Sequence, residues 1–188
     1  MTEQPSTLEV IRDGARADVI LSRPEVRNAF DDQMISQLME AFQSITGDSS
    51  VRVIVLSGQG KVFSAGADVN WMRTSIDLSS EENRHDALRM ARLFSSISSA
   101  RCPVVVRAHG AAIGGGAGLV CAGDIAVAEE NCLFSFAEVR LGIIPVPVYD
   151  KRLTKTWIDA LRHHRKENEL FEEDTTTETI DSSYLECV

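Results

Sequence analysis

The chain has 188 residues, 44% of them hydrophobic and 25% charged, with a formal net charge of −9. That length suffices for one domain with a real apolar core. The acidic balance argues against non-specific nucleic acid and anionic membranes as partners, since both need a basic face, while a small anionic ligand needs only a local positive field.

Glu3, Glu9, Asp13 and Asp18 crowd the first twenty residues, which lack both an apolar signal core and an Arg-rich, acid-poor transit pattern. No apolar run approaches the length of a membrane span. Cys102, Cys121, Cys132 and Cys187 form no C-x-x-C pair and stand away from histidines at metal-ligand spacing. The expectation is a cytoplasmic protein with buried free thiols and no metal.

In chain order, Leu8–Arg12 and Ala17–Leu21 flank Asp13-Gly14, a strong hairpin signal. Pro24 blocks extension of the second strand, so residues 22–30 form a loop. Asp31 or Asp32 caps a helix whose Met34, Ile35, Leu38, Met39, Phe42 and Ile45 recur at three and four residues, with Gly47 as its stop. Val51–Gly58 is a near-continuous apolar run, which predicts a parallel strand buried on both faces. A small-residue loop from Gly60 to Asp68 follows. Asp77 or Ser79 opens a long helix to about Ala100, with Ala87, Met90, Ala91, Phe94 and Ile97 along one side. Val104–Ala108 is the next buried strand. After a glycine run, Leu119–Ala122 continues as helix, Ile125–Ala128 as strand, and Leu133–Phe136 as a short further strand. The alternation predicts an α/β layered fold with mostly parallel strands. Residues 1–147 read as the core. Residues 148–188 read as a divergent charged tail, helical around Leu153, Trp157, Ile158 and Leu161 and otherwise disordered.

The run Gly114-Gly115-Gly116-Ala117-Gly118 lies between a strand and a helix. Without Cβ atoms, its backbone N–H groups can approach a ligand closely, and the helix N-terminus behind it favours negative charge. A dinucleotide fingerprint does not fit. The acidic residue at the right distance, Glu138, follows two further strand-like segments. No Gly-Lys-Ser/Thr occurs, so there is no phosphate-binding P-loop. Phe63-Ser64-Ala65-Gly66-Ala67-Asp68-Val69 is a second small-residue loop between a buried strand and a helix start. Two such loops after consecutive parallel strands can each offer one N–H to a single oxygen, as an oxyanion hole requires. A thioester oxygen gains charge when its α-carbon is deprotonated or its β-carbon is attacked, and one nearby carboxylate can move the proton.

Ser64–Asp68 together with Gly110-Ala111-Ala112-Ile113-Gly114-Gly115-Gly116 resembles the enoyl-CoA hydratase/isomerase (crotonase) superfamily. Arg23–Phe30 is similar to its first CoA-contacting segment, and Ser135–Pro145 to its catalytic-carboxylate segment, so the resemblance runs from about residue 8 to 145. It implies a crotonase-like ββα spiral and an acyl-CoA thioester substrate. CoA arrives as part of that substrate, so no separate cofactor is implied. The resemblance assigns the N–H groups of Ala67 and Gly115 to the oxyanion. It places Val26, Arg27, Ala65, Gly66, Asp68 and Val69 along CoA and makes Glu138 the catalytic carboxylate. The second glutamate of the hydratases would fall at Gly118, which has no side chain. The wording of Ala65–Met72 and Ser135–Gly142 is similar to methylglutaconyl-CoA hydratase-like members. Family members form homotrimers or hexamers through further helices, whereas this sequence departs from the pattern after Pro145, which reads as a truncated or replaced C-terminus.

The expectation is hydration or dehydration of a 2-enoyl-CoA. The alternatives are an enoyl-CoA isomerase, or a catalytically dead product that acts only by binding partners. Plainer roles stand beside the chemical ones: helix capping for Asp68, a surface position for Arg27, a hydrogen-bonded structural role for His109, and core or pocket lining for Trp71 and Met72. His163-His164 is not read as a metal site.

Overall fold

The computed structural model describes residues 6–136. The hairpin forms as the sequence predicts. β1 (Leu8–Asp13) and β2 (Arg16–Leu21) pair antiparallel, with Asp13 opposite Arg16 and Gly14 at φ +57° in the tight connection. β2 then pairs in parallel with β3 (Val53–Gly58), β3 with β4 (Val104–Ala108), and β4 with β6 (Ile125–Ala128). The five-stranded sheet therefore runs β1-β2-β3-β4-β6.

Three helices supply most of the cover. α1 (Asp32–Gly47) starts at Asp31, whose carboxylate accepts the Met34 N–H at 2.9 Å. It buries Met34, Ile35, Leu38, Phe42 and Ile45, the stripe read from the sequence, with Met39 packed partly against it. α3 (Ser80–Ser98) opens on a reciprocal capping box between Ser79 and Glu82. Its buried face is Met90, Leu93, Phe94 and Ile97. Ala87 and Ala91, expected on that face, are exposed, and Leu93 takes the place in the stripe. A methyl group is too weak an apolar marker to set the face, and the larger Leu93 completes the i, i+3, i+4, i+7 pattern. α4 (Gly115–Ala122) is buried along its whole length, as an all-apolar helix must be. Between α1 and α3 lies a short α2 (Val69–Thr74).

Alternation sorts the sheet into two faces. Ala17, Val19, Leu21, Ile54, Leu56, Val104, Val106 and Ala108 join the buried stripes of α1 and α3 in one core. The opposite face carries Asp18, Ile20, Val53, Val55 and Val105, all only half-buried, with Arg16 and Arg107 exposed. β3 is thus parallel as expected, but it is not buried on both faces among the described residues, because the core helices share one side.

One element was not expected. Ala111–Ile113 forms β5, which pairs in parallel with β7 (Leu133–Ser135) as a separate two-stranded sheet. It places a strand of this second sheet immediately before the glycine run.

Candidate active site

The site is built from three connections, and the first is the turn from Arg23 to Phe30. Pro24 fixes the first position of a 3-10 turn over Pro24–Val26. Arg27 and Asn28 then adopt the left-handed region at φ +58° and +52°, a conformation that asparagine tolerates better than most residues. The Asn28 side chain is fully buried. Its amide donates to the carbonyls of Gln59, Val62 and Phe63 at 2.8–3.1 Å, and its oxygen accepts the Arg23 N–H at 3.0 Å. One side chain thereby fastens the turn to the loop after β3.

That loop, residues 60–68, is the second connection. Ser64 is buried. Its hydroxyl donates to the Asn28 carbonyl at 2.9 Å and accepts the Gly66 N–H at 3.1 Å. Ala65 donates its N–H to the Arg27 carbonyl at 2.9 Å. Phe30 and Ala67 form a parallel bridge through the Phe30 N–H on the Gly66 carbonyl (2.8 Å) and the Asp68 N–H on the Phe30 carbonyl (2.9 Å). In such a bridge the flanking groups make both bonds, so the N–H of Ala67 itself faces away from Phe30.

The third connection runs from β5 into α4. Ser64 and Ala112 form another parallel bridge, with the Ser64 N–H on the Ala111 carbonyl and the Ile113 N–H on the Ser64 carbonyl. Gly114 turns the chain at φ +55°, ψ −125°, and donates its N–H to the Ser135 carbonyl at 2.7 Å. Gly115 follows as the first residue of α4, where an N–H has no partner inside the helix.

The two loops approach so closely that side chains are excluded between them. A Cβ on Gly66, which sits at φ +85°, would stand 2.6 Å from the Ile113 carbonyl oxygen and 3.2 Å from the Gly115 nitrogen. On Gly116 a Cβ would stand 2.6 Å from the Ser64 carbonyl oxygen, and on Gly115 it would meet the Phe30 ring at 2.6 Å. The backbone of Gly66-Ala67 and the amide of Gly115 are therefore neighbours, and no described residue accepts either the Ala67 or the Gly115 N–H.

Ala65, Gly66, Ala67 and Gly115 are thus brought together. Val26 and Arg27 sit exposed on the adjoining turn, tied to the loop by the Ala65–Arg27 bond. Val69 begins α2 with its side chain exposed. Asp68 caps that helix, accepting the Asn70 N–H at 2.9 Å, and its second oxygen pairs with Arg23 at 3.3 Å. Arg23 also pairs with Asp31 at 3.0 Å and donates to the Ala29 carbonyl. It ties the caps of α1 and α2 to one turn. Gly118 lies buried inside α4. Glu138, the segment around Trp157 expected to be helical, and His163-His164 lie outside the described residues. His109 accepts its structural role, its Nε2 lying 3.0 Å from the Gly60 carbonyl. Trp71 packs partly against the core.

Sequence reasoning missed Asn28 and Phe30 as organisers of the site. Asparagine after a Pro-containing turn is a signal for a left-handed residue, but nothing local announces its burial. A cavity of about 500 Å³ lies over the ends of β3, β4 and β6. Gly60 of the second connection and His109 line it, whereas the residues that carry the two loop amides, Ala67 and Gly115, do not. Cys102, Cys121 and Cys132 are free and buried. Burial pushes the Cys121 and Cys132 thiols up from the ordinary range, with Glu129 adding to the effect on Cys132. Neither thiol is activated by its surroundings. Among the described residues no cluster of metal-ligating side chains occurs, and no helix is long and apolar enough to cross a membrane.

Comparison with known proteins adds the following. Residues 13–161 match the enoyl-CoA hydratase/isomerase family. A peroxisomal Δ(3,5)-Δ(2,4)-dienoyl-CoA isomerase of Arabidopsis thaliana is 36% identical over 155 residues, covering 76% of this chain and 55% of that protein. An enoyl-CoA hydratase of Alternaria alternata is 35% identical over 144 residues, covering 74% and 45%. The crystal structure of an enoyl-CoA hydratase from Shewanella pealeana superposes with a TM-score of 0.73 at 36% identity, covering 79% of this chain and 54% of that one. The chain spans about half the length of the curated relatives it matches.

Proposed function

The chain belongs to the enoyl-CoA hydratase/isomerase family and has the crotonase fold, and on that premise we propose that it binds an acyl-CoA thioester and stabilises its enolate between the N–H groups of Ala67 and Gly115. The observation that carries this reading is the interlock of the two loops, which leaves two neighbouring amides without a described acceptor. Such donors act where charge develops, and the loss of one typically costs about 10²–10³ in rate. Val26, Arg27, Ala65, Gly66 and Val69 border CoA. Asp68 contributes through the backbone it caps, since its carboxylate is already shared between Asn70 and Arg23.

In the hydration direction, Glu138 accepts a proton from water as the oxygen bonds to C3 of the 2-enoyl group. The C2–C3 π electrons move into the thioester as an enolate, and the same carboxyl then returns a proton to C2. The similarity of Ala65–Met72 to methylglutaconyl-CoA hydratase-like members supports a branched, acidic acyl group as substrate. Gly118 supports a second reading. With one carboxylate in place of the hydratases' two, Glu138 can instead take a proton from C4 of the 2-enoyl group, giving a dienolate held by the same two amides, and return it to C2, so that the double bond moves from C2–C3 to C3–C4 with no water added. The Arabidopsis isomerase relative is in keeping with that reading. A homotrimer is the proposed assembly.

The test uses the purified full chain with crotonyl-CoA and 3-methylglutaconyl-CoA in ¹⁸O-labelled water. Hydration incorporates the label, whereas isomerisation moves the double bond without it. Glu138→Gln is expected to lower kcat about 10²–10⁴-fold with little change in CoA affinity. Equal activity in that variant removes Glu138 from the mechanism, and no turnover of any enoyl-CoA by the folded protein overturns the enzymatic reading in favour of a binding role.

A further inference from the structure

The two proposed donors sit on loops that the Ser64–Ala112 bridge joins directly, and one further residue touches the segments of both donors. Phe30 is fully buried. Its main chain bonds on either side of Ala67, to Gly66 at 2.8 Å and from Asp68 at 2.9 Å. Its ring edge occupies the place where a Cβ of Gly115 would stand, with Cζ and Cε2 at 2.6 and 2.7 Å from that position. Main chain and side chain thus act on different donors. The backbone sets the Ala67 segment, and the ring sets how deep Gly115 can settle.

We propose that Phe30 is a positioning residue that fixes the spacing of the Ala67 and Gly115 amides, its ring acting as the stop against which Gly115 rests. The inference rests on the oxyanion reading given above and adds to it the device that aligns the two donors. It also explains why Gly115 must lack a side chain: the ring lies against the face of its Cα where a Cβ would project. The two halves are separable. Substituting the side chain leaves the backbone bridge to Ala67 intact and releases Gly115 alone.

The experiment uses the full chain with acetoacetyl-CoA, a β-keto thioester whose enolate has its own ultraviolet band. At fixed pH the bound enolate-to-keto ratio reports how well the donors hold the oxygen. Affinity for CoA itself, which has no acyl carbonyl, reports whether the rest of the pocket is intact. Phe30→Leu is expected to lower the enolate ratio about 10-fold and Phe30→Ala about 100-fold, in keeping with the cost of misplacing a reacting group by about 1 Å. CoA affinity should stay within about 3-fold. Gly115→Ala alone should lose the enolate band, and the Phe30→Ala/Gly115→Ala double variant should regain part of it, because the new methyl then has room.

An unchanged enolate ratio in both Phe30 variants overturns the proposal. So does a loss of enolate matched by an equal loss of CoA affinity, which marks general packing, or a double variant no better than Gly115→Ala. If Phe30→Ala does not fold, Phe30→Leu and Phe30→Met carry the same comparison. Acetoacetyl-CoA bound by the unaltered chain with no enolate at all overturns the oxyanion reading itself, and this inference with it.

Discussion

Asn28 shows how much of the site depends on a single amide. It is wholly buried in the left-handed region, and it satisfies three carbonyls of the loop after β3 while accepting from Arg23. Asn28→Ala leaves those carbonyls unpaired, at about 1–3 kcal/mol for a buried polar group, and adds the left-handed cost of about 1–2 kcal/mol for an alanine. Chemical denaturation should show a loss of about 3 kcal/mol, with acyl-CoA binding weakened in step because loop 60–68 loses its anchor. Serine at position 64 works in the same place by a different route: its hydroxyl bridges the Asn28 carbonyl and the Gly66 N–H. Neither role was visible in the sequence. Polar residues in a loop read as solvated, and only the tertiary fold reveals that these two face inward. The small residues at Ala65, Gly66, Ala67 and Gly115 were visible, since close backbone approach leaves few alternatives to them.

Among the elements, those with a long periodic stripe were legible and the short one was not. α1 follows its apolar spacing and its Asp31 cap. β5 is three residues long and hemmed by glycines, too short for any period to register, and its pairing with β7 is a tertiary matter. α3 was placed but its face was turned, because Ala87 and Ala91 carried the same apparent weight as Leu93. The exposed first turns of α3 make its cap important. The Ser79 hydroxyl and N–H, both bonded to Glu82, hold that carboxyl below the ordinary carboxylate range. A depressed folded-state value means that the contribution is complete above the unfolded-state value and is lost as pH falls through the folded one. The melting-temperature gap between the unaltered chain and Glu82→Ala should therefore be full at neutral pH and close as the solution is acidified through the carboxylate range. Thermal melts at a series of pH values check this. A gap that widens on acidification contradicts the cap.

At the scale of the whole molecule, loop 60–68 leaves the carboxyl end of β3, and the chain leaving β4, the adjacent parallel strand, reaches the glycine run through β5, so both loops follow the carboxyl ends of neighbouring strands of one sheet. In open α/β sheets this is where ligands bind. The layered α/β class and the parallel order followed from the alternation of segments. The second sheet, and the one-sided placement of the core helices, did not, because strand order and layer assignment are set by packing between distant segments. A ligand held only by the folded form must stabilise it. At 100 times its Kd the proposed acyl-CoA ligand adds about 2.7 kcal/mol, a rise of about 5–11 °C in melting temperature for a chain of this size. Differential scanning fluorimetry with CoA, acetyl-CoA and an unrelated nucleotide checks the expectation. A rise shared equally by the unrelated nucleotide contradicts a dedicated CoA site.

The bridges that unite the site join stretches far apart in the chain, Phe30 to Ala67 and Ser64 to Ala112. During synthesis the loop around Ala67 emerges with its first partner, the turn at Phe30, already made, but the segment carrying Gly115 does not yet exist. At ordinary ribosome speeds of about 5–20 residues per second, the nascent chain waits roughly 2–10 s before the second amide can arrive. For that interval the small-residue loop has half its scaffold. The hydroxyl of Ser64 can already reach Asn28, and the rest of its bridge is completed only as the strand before the glycine run is delivered.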